Sequence, residues 1–337
     1  MIETRGLLRY LGLGVALMLM FFGAARMRKG EVIREPEPVT AASTLETVEP
    51  TEPQETAGET AVLPEPVGLE AHVDGEKLDG EHVFVYDTGR GKLVYCTADP
   101  GDRLYPASIT KLFTAWVALQ MLPEDLEVTA GWELGLLQPG SSAACIALDS
   151  QLTVEMLLEG MLLPSGNDAA LVLAAAAGRQ LAGKQKVTAQ EAVALFVEEM
   201  NRAAETLGFR NSHFVNPDGY HHPDHYSCPE DLSRIAELAL DEPVLRRCMG
   251  LRQDRVTFPS GETHIWKNTN RLLNPESDCY CPEAVGMKTG YTQKAGYCLM
   301  AAFGPEEPLV VGVFGGSDPV SRYEDAVMLY RTWESLS

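Results

Sequence analysis

Strand-like runs stand at both ends of residues 71–337, and helical periodicity fills the region between them. Residues 82–86 and 92–96 are rich in β-branched and aromatic side chains, and a Gly-containing turn sequence separates them, so we predict a hairpin. Three more strand-like runs follow near the C-terminal end, at residues 284–288, 297–303 and 309–314. This order indicates one α+β domain, whose simplest architecture is a five-stranded antiparallel sheet flanked by helices.

The middle of the chain and its last segment have the 3.6-residue apolar period of helices. The predicted helices lie in residues 108–121, 153–177 (two helices broken at 164–167), 189–207, 229–240 and 321–336. We find no internal repeat.

The first 30 residues resemble an export signal. Arg5 and Arg9 precede the apolar run at residues 11–25, whose 15 residues are short for a membrane-spanning helix and typical of a signal peptide. Residues 6–8 extend the apolar stretch to about 20 residues, interrupted only by Arg9, whose side chain can reach the membrane interface. A cleaved signal peptide and a retained N-terminal membrane anchor therefore both stay open, and either places the rest of the chain outside the cytoplasmic membrane.

Residues 31–70 are a predicted disordered linker, because ten Glu, six Pro and no aromatic residue cannot bury enough surface to fold. We therefore expect a signal or anchor at 1–30, a linker at 31–70 and one globular domain at 71–337. The net charge of -21 disfavours nucleic acid as a partner, because phosphate repels an acidic protein. Seven cysteines in 337 residues are too few for a disulfide scaffold.

Ser108 and Lys111 begin the first strongly periodic helix, as Ser-Ile-Thr-Lys. A serine hydroxyl needs a nearby base to become a nucleophile, and a spacing of three puts the lysine on the same helix face, one turn away. Lysine can be that base only if burial or a neighbouring cation lowers its pKa. On its own this pattern is common, and a capped helix with a surface lysine would explain it equally well.

Two further motifs could also belong to a functional site, and each is common on its own. Ser165-Gly166-Asn167 forms the break between two predicted helices and could present a hydroxyl and an amide to a cleft. Lys288-Thr289-Gly290 ends a strand-like run, where a cation and a hydroxyl could bind a carboxylate and the glycine would let a ligand approach the backbone.

Together, in this order and 57 and 123 residues apart, the three motifs match the signature of β-lactamases and penicillin-binding proteins. The flanking sequences extend the match. RLYPASITKLFTAWVAL, LTVEMLLEGMLLPSGNDAALVLA and GMKTGYTQKAGYCLMAA all resemble the low-molecular-mass penicillin-binding proteins, which are serine D-alanyl-D-alanine carboxypeptidases. The resemblance covers about residues 75–333 and implies a β-lactamase/transpeptidase-like fold.

The resemblance also implies roles. Ser108 would form the acyl-enzyme, Lys111 would take its proton and Ser165 would relay protons. Asn167 would hold the substrate amide. Lys288 and Thr289, with Gly290 beside them, would bind the terminal carboxylate of the substrate, and Lys288 would lower the pKa of Lys111. The backbone N–H groups of Ser108 and Tyr291 would form the oxyanion hole.

The expected reaction removes the terminal D-alanine from peptidoglycan stem pentapeptides, and β-lactam antibiotics would inhibit it by acylating Ser108. No cofactor or metal is expected. His221, His222, His225 and Cys228 match no zinc spacing that we recognise. The expected membrane contact is confined to the N-terminal segment, and the expected location is the cell-wall side of the cytoplasmic membrane.

Three alternatives to a carboxypeptidase are considered. The first is a related activity of the same site, and the other two have less support. D,D-endopeptidase or weak transpeptidase activity on cross-linked wall would use the same residues. A β-lactamase is disfavoured because no Glu-x-x-Leu-Asn motif follows Ser165, and an inactive wall-binding relative is disfavoured because every catalytic side chain is present. The chain departs from the family in its Cys279-Tyr280-Cys281 loop, in its acidic linker and in ending about 47 residues after the Lys-Thr-Gly motif, which suggests that a C-terminal β-rich domain is absent.

Overall fold

A five-stranded antiparallel sheet forms the centre of the structure, a computed structural model that describes residues 68–336. The strands are β1 (His82–Asp87), β2 (Lys92–Cys96), β7 (Ala284–Thr292), β8 (Gly296–Phe303) and β9 (Leu309–Gly316). Their order in the sheet is β2-β1-β9-β8-β7. The predicted hairpin, the five strands and the antiparallel arrangement are thereby confirmed. The signal or anchor segment and residues 31–67 of the predicted linker lie outside the described residues. The folded part begins before the predicted linker end at residue 70, because Leu69–Ala71 forms a 3₁₀ turn and Leu69 is buried in the core.

Both faces of this sheet are covered. Successive side chains of a strand point to opposite faces, and β1 and β9 bury side chains on both. Val83 and Val85 of β1 lie on the face that packs against the C-terminal helix, together with Val311 and Val313 of β9. Phe84 points to the opposite face. Its ring takes up the space that a side chain at position 312 would need, which explains the glycine there.

Seven α-helices surround the sheet within residues 68–336. They are α1 (Thr110–Leu119), α2 (Val154–Leu162), α3 (Asn167–Ala182), α4 (Ala189–Thr206), α5 (Pro229–Asp241), α6 (Pro243–Gly250) and α7 (Ser321–Leu336). α1 is the central helix: residues 110–118 are all buried, and α2, α3, α4 and α5 pack around it. The first turn of α1 therefore sits at a fixed point between the helices and β7.

Four short strands and α6 are absent from the sequence prediction. β3 (Glu127–Thr129) pairs with β4 (Gln151–Thr153), and β5 (Gln253–Thr257) pairs with β6 (Thr263–Lys267). β5 and β6 bury only one residue fully on each strand, so they show no apolar alternation that a sequence could reveal. In the described part of the chain no helix has both the length and the apolar character to cross a membrane.

The Lys-Thr-Gly motif lies inside β7 rather than at its end, which corrects the predicted strand end at residue 288. Pairing with β8 continues from Thr289 opposite Leu299 to Thr292 opposite Gly296. Residues 289–292 look weakly apolar in sequence, but hydrogen bonds to β8 hold them in the sheet. All seven cysteines lie in the described residues as free thiols, and Cys298 is buried in β8.

Candidate active site

The three predicted motifs meet at one cleft of about 700 Å³ between β7 and the helical part. Ser108, Ser165, Asn167, Thr289, Gly290 and Tyr291 all line it. The two predicted lysines, Lys111 and Lys288, are fully buried beneath this surface. The structure therefore brings together all eight residues that the sequence analysis selected.

Ser108 lies in a 3₁₀ turn (Ala107–Ile109) immediately before α1, and α1 begins at Thr110, two residues after the predicted helix start. Ala107, directly before it, has a φ of 48°, a left-handed conformation that is unfavourable by about 1–3 kcal/mol for a residue with a side chain. Ser165 (φ 63°) and Met287 (φ 91°) share this feature, and Met287 directly precedes Lys288. Each of the three motifs thus contains, or directly follows, a strained backbone position that the surrounding fold must hold.

The side-chain amine of Lys111 has three hydrogen-bond partners. Its Nζ donates to Ser108 Oγ, to Asn167 Oδ1 and to the backbone carbonyl of Asp218, each at 2.8 Å. The first contact lies within one motif, and the second joins two motifs through residues 56 positions apart on the chain. The third comes from a loop that carries none of the predicted motifs.

Burial lowers the pKa of Lys111 to about 8, and the nearby Asp218 and Asp168 carboxylates partly oppose that shift. The pKa of Lys111 is therefore lowered, as expected for a base. The largest cause is loss of hydration at the buried amine, so the free amine becomes accessible near neutral pH.

Hydrogen bonds from a neighbouring loop hold the turn at Ser165, and the sequence analysis selected no residue of that loop. Ser142 Oγ donates to the Ser165 carbonyl at 2.6 Å, and Asn167 Nδ2 donates to Ser141 Oγ at 3.0 Å. The buried Asp168 carboxylate accepts from the backbone N–H groups of residues 144 and 146 at 2.8 and 3.0 Å and so holds this loop on the start of α3. The Ser165 hydroxyl forms no hydrogen bond within residues 68–336 and faces the cleft.

Lys288 lies under the cleft and does not line it. Its Nζ donates to the Thr289 carbonyl at 2.9 Å, and burial, with the charges of Lys111 and Arg322, holds its pKa well below the usual value. Thr289 Oγ1 lies 2.6 Å from Thr269 Oγ1 at the surface of the cleft. The hydroxyl of the third motif is thus available to a ligand, whereas its lysine amine lies below the cleft surface.

Gly290 lets β7 approach the Ser108 turn. A Cβ at this position would lie 3.0 Å from the Ser108 backbone nitrogen and 3.0 Å from Ala107 Cβ. β7 and the Ser108 turn can therefore lie this close together because residue 290 has no side chain.

Arg322, at the start of α7, is a cleft residue that the sequence analysis missed. Its Nη1 donates to the carbonyls of Gly290 and Cys298, each at 3.0 Å, and within the described residues its buried Nε has no hydrogen-bond partner. Arg322 lies 34 residues after Lys288 with no motif around it, so only the packing of α7 on the sheet could reveal its place.

The histidines that suggested a metal do not form one cluster. His221 lines the cleft, His222 is exposed and His225 is buried against Thr110. Between residues 68 and 336 no group of three or more His, Cys, Asp or Glu side chains is arranged to hold a metal ion.

Comparison with known proteins gives the same family. The family model for D-alanyl-D-alanine carboxypeptidases matches residues 69–317. The D-alanyl-D-alanine carboxypeptidase of Streptomyces sp. strain K15 is 32% identical over 256 residues, which are 73% of this chain and 84% of that protein. The D-alanyl-D-alanine carboxypeptidase DacF of Bacillus subtilis is 29% identical over 251 residues, 72% of this chain and 59% of that protein.

The fold agrees as well. The crystal structure of the Streptomyces K15 DD-transpeptidase superposes with a TM-score of 0.68 at 30% identity, over 78% of this chain and all of that one. This chain spans more than half, but less than two thirds, of the Bacillus relative. The family model covers about three quarters of the chain, including all three motifs. The chain therefore belongs to the D-alanyl-D-alanine carboxypeptidase family.

Proposed function

We propose that this protein is a serine D,D-carboxypeptidase, which removes the terminal D-alanine from peptidoglycan stem pentapeptides through an acyl-enzyme on Ser108. The observation that carries the proposal is the buried Lys111 amine 2.8 Å from the Ser108 hydroxyl, on the floor of the cleft, in a member of this family. A serine with a buried amine as its base needs no histidine.

The partners of Lys111 set the direction of proton transfer. Asn167 Oδ1 and the Asp218 carbonyl can only accept hydrogen bonds, so they orient both N–H bonds of a neutral amine. The amine's lone pair is then left for the Ser108 hydroxyl. Lys111 takes the proton as Ser108 Oγ bonds to the carbonyl carbon of the penultimate D-alanine.

Charge develops on that carbonyl oxygen, and the backbone N–H groups of Ser108 and Tyr291 would hold it. Gly290 brings the two chain segments together, as the 3.0 Å distance from its virtual Cβ to the Ser108 nitrogen shows. Preorganised donors of this kind are each worth about 10²–10³ in rate.

The substrate carboxylate would lie against Thr289 and Arg322. The Thr289 hydroxyl supplies a donor at the cleft surface, and the Arg322 guanidinium supplies positive charge beside it. Of the described residues that line the cleft, none is Asp or Glu, although residues 71–337 carry 16 more acidic than basic side chains. Exclusion of carboxylates from this surface favours an anionic substrate.

Collapse of the tetrahedral intermediate breaks the peptide C–N bond, and the leaving amine of D-alanine takes up a proton. The Ser165 hydroxyl, free on the cleft surface, would pass that proton from Lys111. Water then attacks the acyl-enzyme by the same route in reverse and restores Ser108. β-Lactams would acylate Ser108 in the same way, since they present a reactive amide next to a carboxylate.

Transpeptidation is the second candidate, because the solved relative with a TM-score of 0.68 is described as a DD-transpeptidase. An amine would then replace water as the acceptor, and D,D-endopeptidase activity would use the same acyl-enzyme on cross-linked wall. We also propose that residues 1–30 export or anchor the chain, that the linker from residue 31 up to the buried Leu69 is its tether, and that it works on the cell-wall side of the membrane.

The test is D-alanine release from a stem pentapeptide by the full-length protein, with Ser108→Ala as the control. Release of one D-alanine per peptide, lost in the variant, is the expected result. The proposal fails if the wild type releases no D-alanine, or if Ser108→Ala releases it at the wild-type rate. Adding an acceptor amine and measuring its incorporation distinguishes transpeptidation from hydrolysis.

A further inference from the structure

A buried hydrogen-bond chain runs from His225 to the peptide bond before Ser108. His225 Nε2 lies 2.9 Å from Thr110 Oγ1, and Thr110 Oγ1 donates to the Ala107 carbonyl at 2.8 Å. All three residues are at most 2% exposed. None of them belongs to the groups to which we have assigned chemistry.

The other hydrogen bonds of His225 and Thr110 determine which atom donates at each step of this hydrogen-bond chain. The Val215 backbone N–H donates to His225 Nδ1 at 3.2 Å, so the neutral ring carries its proton on Nε2. The Thr110 hydroxyl has one proton, which it gives to the Ala107 carbonyl, and it therefore accepts from Nε2. Burial lowers the pKa of His225 to about 3, which keeps the ring neutral and its tautomer unchanged at working pH.

The carbonyl at the end of this chain controls a catalytic donor. A trans peptide is planar, so the Ala107 C=O and the Ser108 N–H point in opposite directions. Holding the carbonyl on the Thr110 side therefore turns the Ser108 N–H away from it. Within the described residues that N–H has no backbone acceptor of its own.

This peptide needs such a hold because Ala107 has a φ of 48°. The Thr110 backbone N–H also bonds to the Ala107 carbonyl, and Gly219 packs against the same oxygen so closely that a Cβ there would lie 1.9 Å from it. The side-chain hydroxyl supplies the second hydrogen bond, and His225 fixes the direction of that hydroxyl.

We propose that His225, acting through Thr110, is a positioning residue that holds the Ala107–Ser108 peptide plane and so aims the Ser108 N–H at the substrate oxyanion. The inference rests on the proposed acyl-enzyme mechanism. Neither residue touches the substrate, so they affect the transition state, where the oxyanion has formed, more than substrate binding.

The test compares Thr110→Val, which keeps the side-chain shape and removes the hydroxyl, with Thr110→Ser, which keeps the hydroxyl. Removing one oxyanion donor lowers kcat by about 10²–10³, so misaiming it should lower kcat by at least about tenfold. We expect that loss in Thr110→Val with KM within about twofold of wild type. We expect Thr110→Ser to stay within about threefold of wild type in kcat.

His225 is tested by a second pair in the full-length protein. Gln places an amide N–H near the position of His Nε2, whereas Leu has no donor. His225→Gln should therefore retain more activity than His225→Leu by about tenfold. If His225→Leu does not fold, the Thr110 pair decides alone.

Several outcomes would overturn the proposal: wild-type kcat in Thr110→Val, equal losses in Thr110→Val and Thr110→Ser, or a loss confined to KM. These outcomes are separate from failure of the proposed function, because that failure would appear in the wild-type protein as an absence of D-alanine release.

Discussion

The Nζ atom of Lys111 lies 2.8 Å from the Oγ atom of Ser108, with no exposed surface on the lysine side chain. One contact thus combines a nucleophile with a base whose pKa burial has lowered to about 8. The spacing of three residues brings the two side chains to the same side of one turn, and the packing around α1 removes water from the amine.

The first prediction concerns pH. Lys111 can accept the Ser108 proton only when it is neutral, so acylation should accelerate as pH rises through about 8. At pH 7 about a tenth of the molecules would carry the neutral amine. The measurement is the rate of β-lactam acylation by the full-length protein from pH 5 to 10. A rate that falls across pH 7–9 would contradict the assignment of Lys111 as the base.

Asn167→Asp should move that profile. The substitution puts a carboxylate where the Asn167 Oδ1 atom now lies, 2.8 Å from Lys111 Nζ. An opposite charge this close stabilises the ammonium form and raises the pKa of Lys111 by about 1 to 3 pH units. Acylation at pH 7 should then fall by about tenfold or more and recover partly at higher pH. An unshifted profile, whatever the absolute rate, would mean that Asn167 does not control the protonation of Lys111.

Arg322→Gln should weaken recognition of the substrate carboxylate. A hydrogen bond to a charged partner is worth about 1.5–3 kcal/mol, so kcat/KM should fall by about tenfold to a hundredfold for a peptide with a free terminal carboxylate. A matched peptide with a C-terminal amide is the control, because its cleavage should change little. Since Arg322 also holds the Gly290 and Cys298 carbonyls, equal losses on both peptides would indicate a structural role only.

Gly219→Ala should displace the Ser108 turn. Gly219 has a φ of 77°, and an added Cβ would lie 1.9 Å from the Ala107 carbonyl oxygen. The control is Gly183→Ala, which has a similar φ of 61° but open space around the added atom. We expect Gly183→Ala to lower the free energy of unfolding by about 1–3 kcal/mol without changing activity. Gly219→Ala should cost more stability and should lose β-lactam acylation.

Urea denaturation and acylation rates measure both effects. Wild-type acylation in Gly219→Ala would show that close packing against Ala107 does not hold the turn.

The predictable parts of the structure are those with a local signal. β1, β8 and β9 are apolar runs of strand length, and the spacing of Ser108 and Lys111 places them together on any helical turn. The flanks of the motifs also carry the family resemblance. These signals were sufficient for the sheet, most of the helices and the eight residues at the cleft.

The remaining features depend on tertiary contacts. Arg322 reaches the cleft only because α7 packs on the sheet, and the Asp218 carbonyl meets Lys111 only because α1 is central. The strained φ values of Ala107 and Ser165 leave no sequence mark, because neither residue is a glycine. The hairpin of β5 and β6 buries only Val256 on one strand and Trp266 on the other, which is too short a pattern to distinguish its strands from loops.

The central claim is that Ser108 becomes covalently acylated. The most direct test is to incubate the full-length protein with a β-lactam, digest it and locate the adduct by mass spectrometry, with Ser108→Ala treated in parallel. The account predicts one acyl group per chain on the peptide that contains Ser108, and none on the variant. An adduct on another residue, or equal labelling of Ser108→Ala, would contradict it.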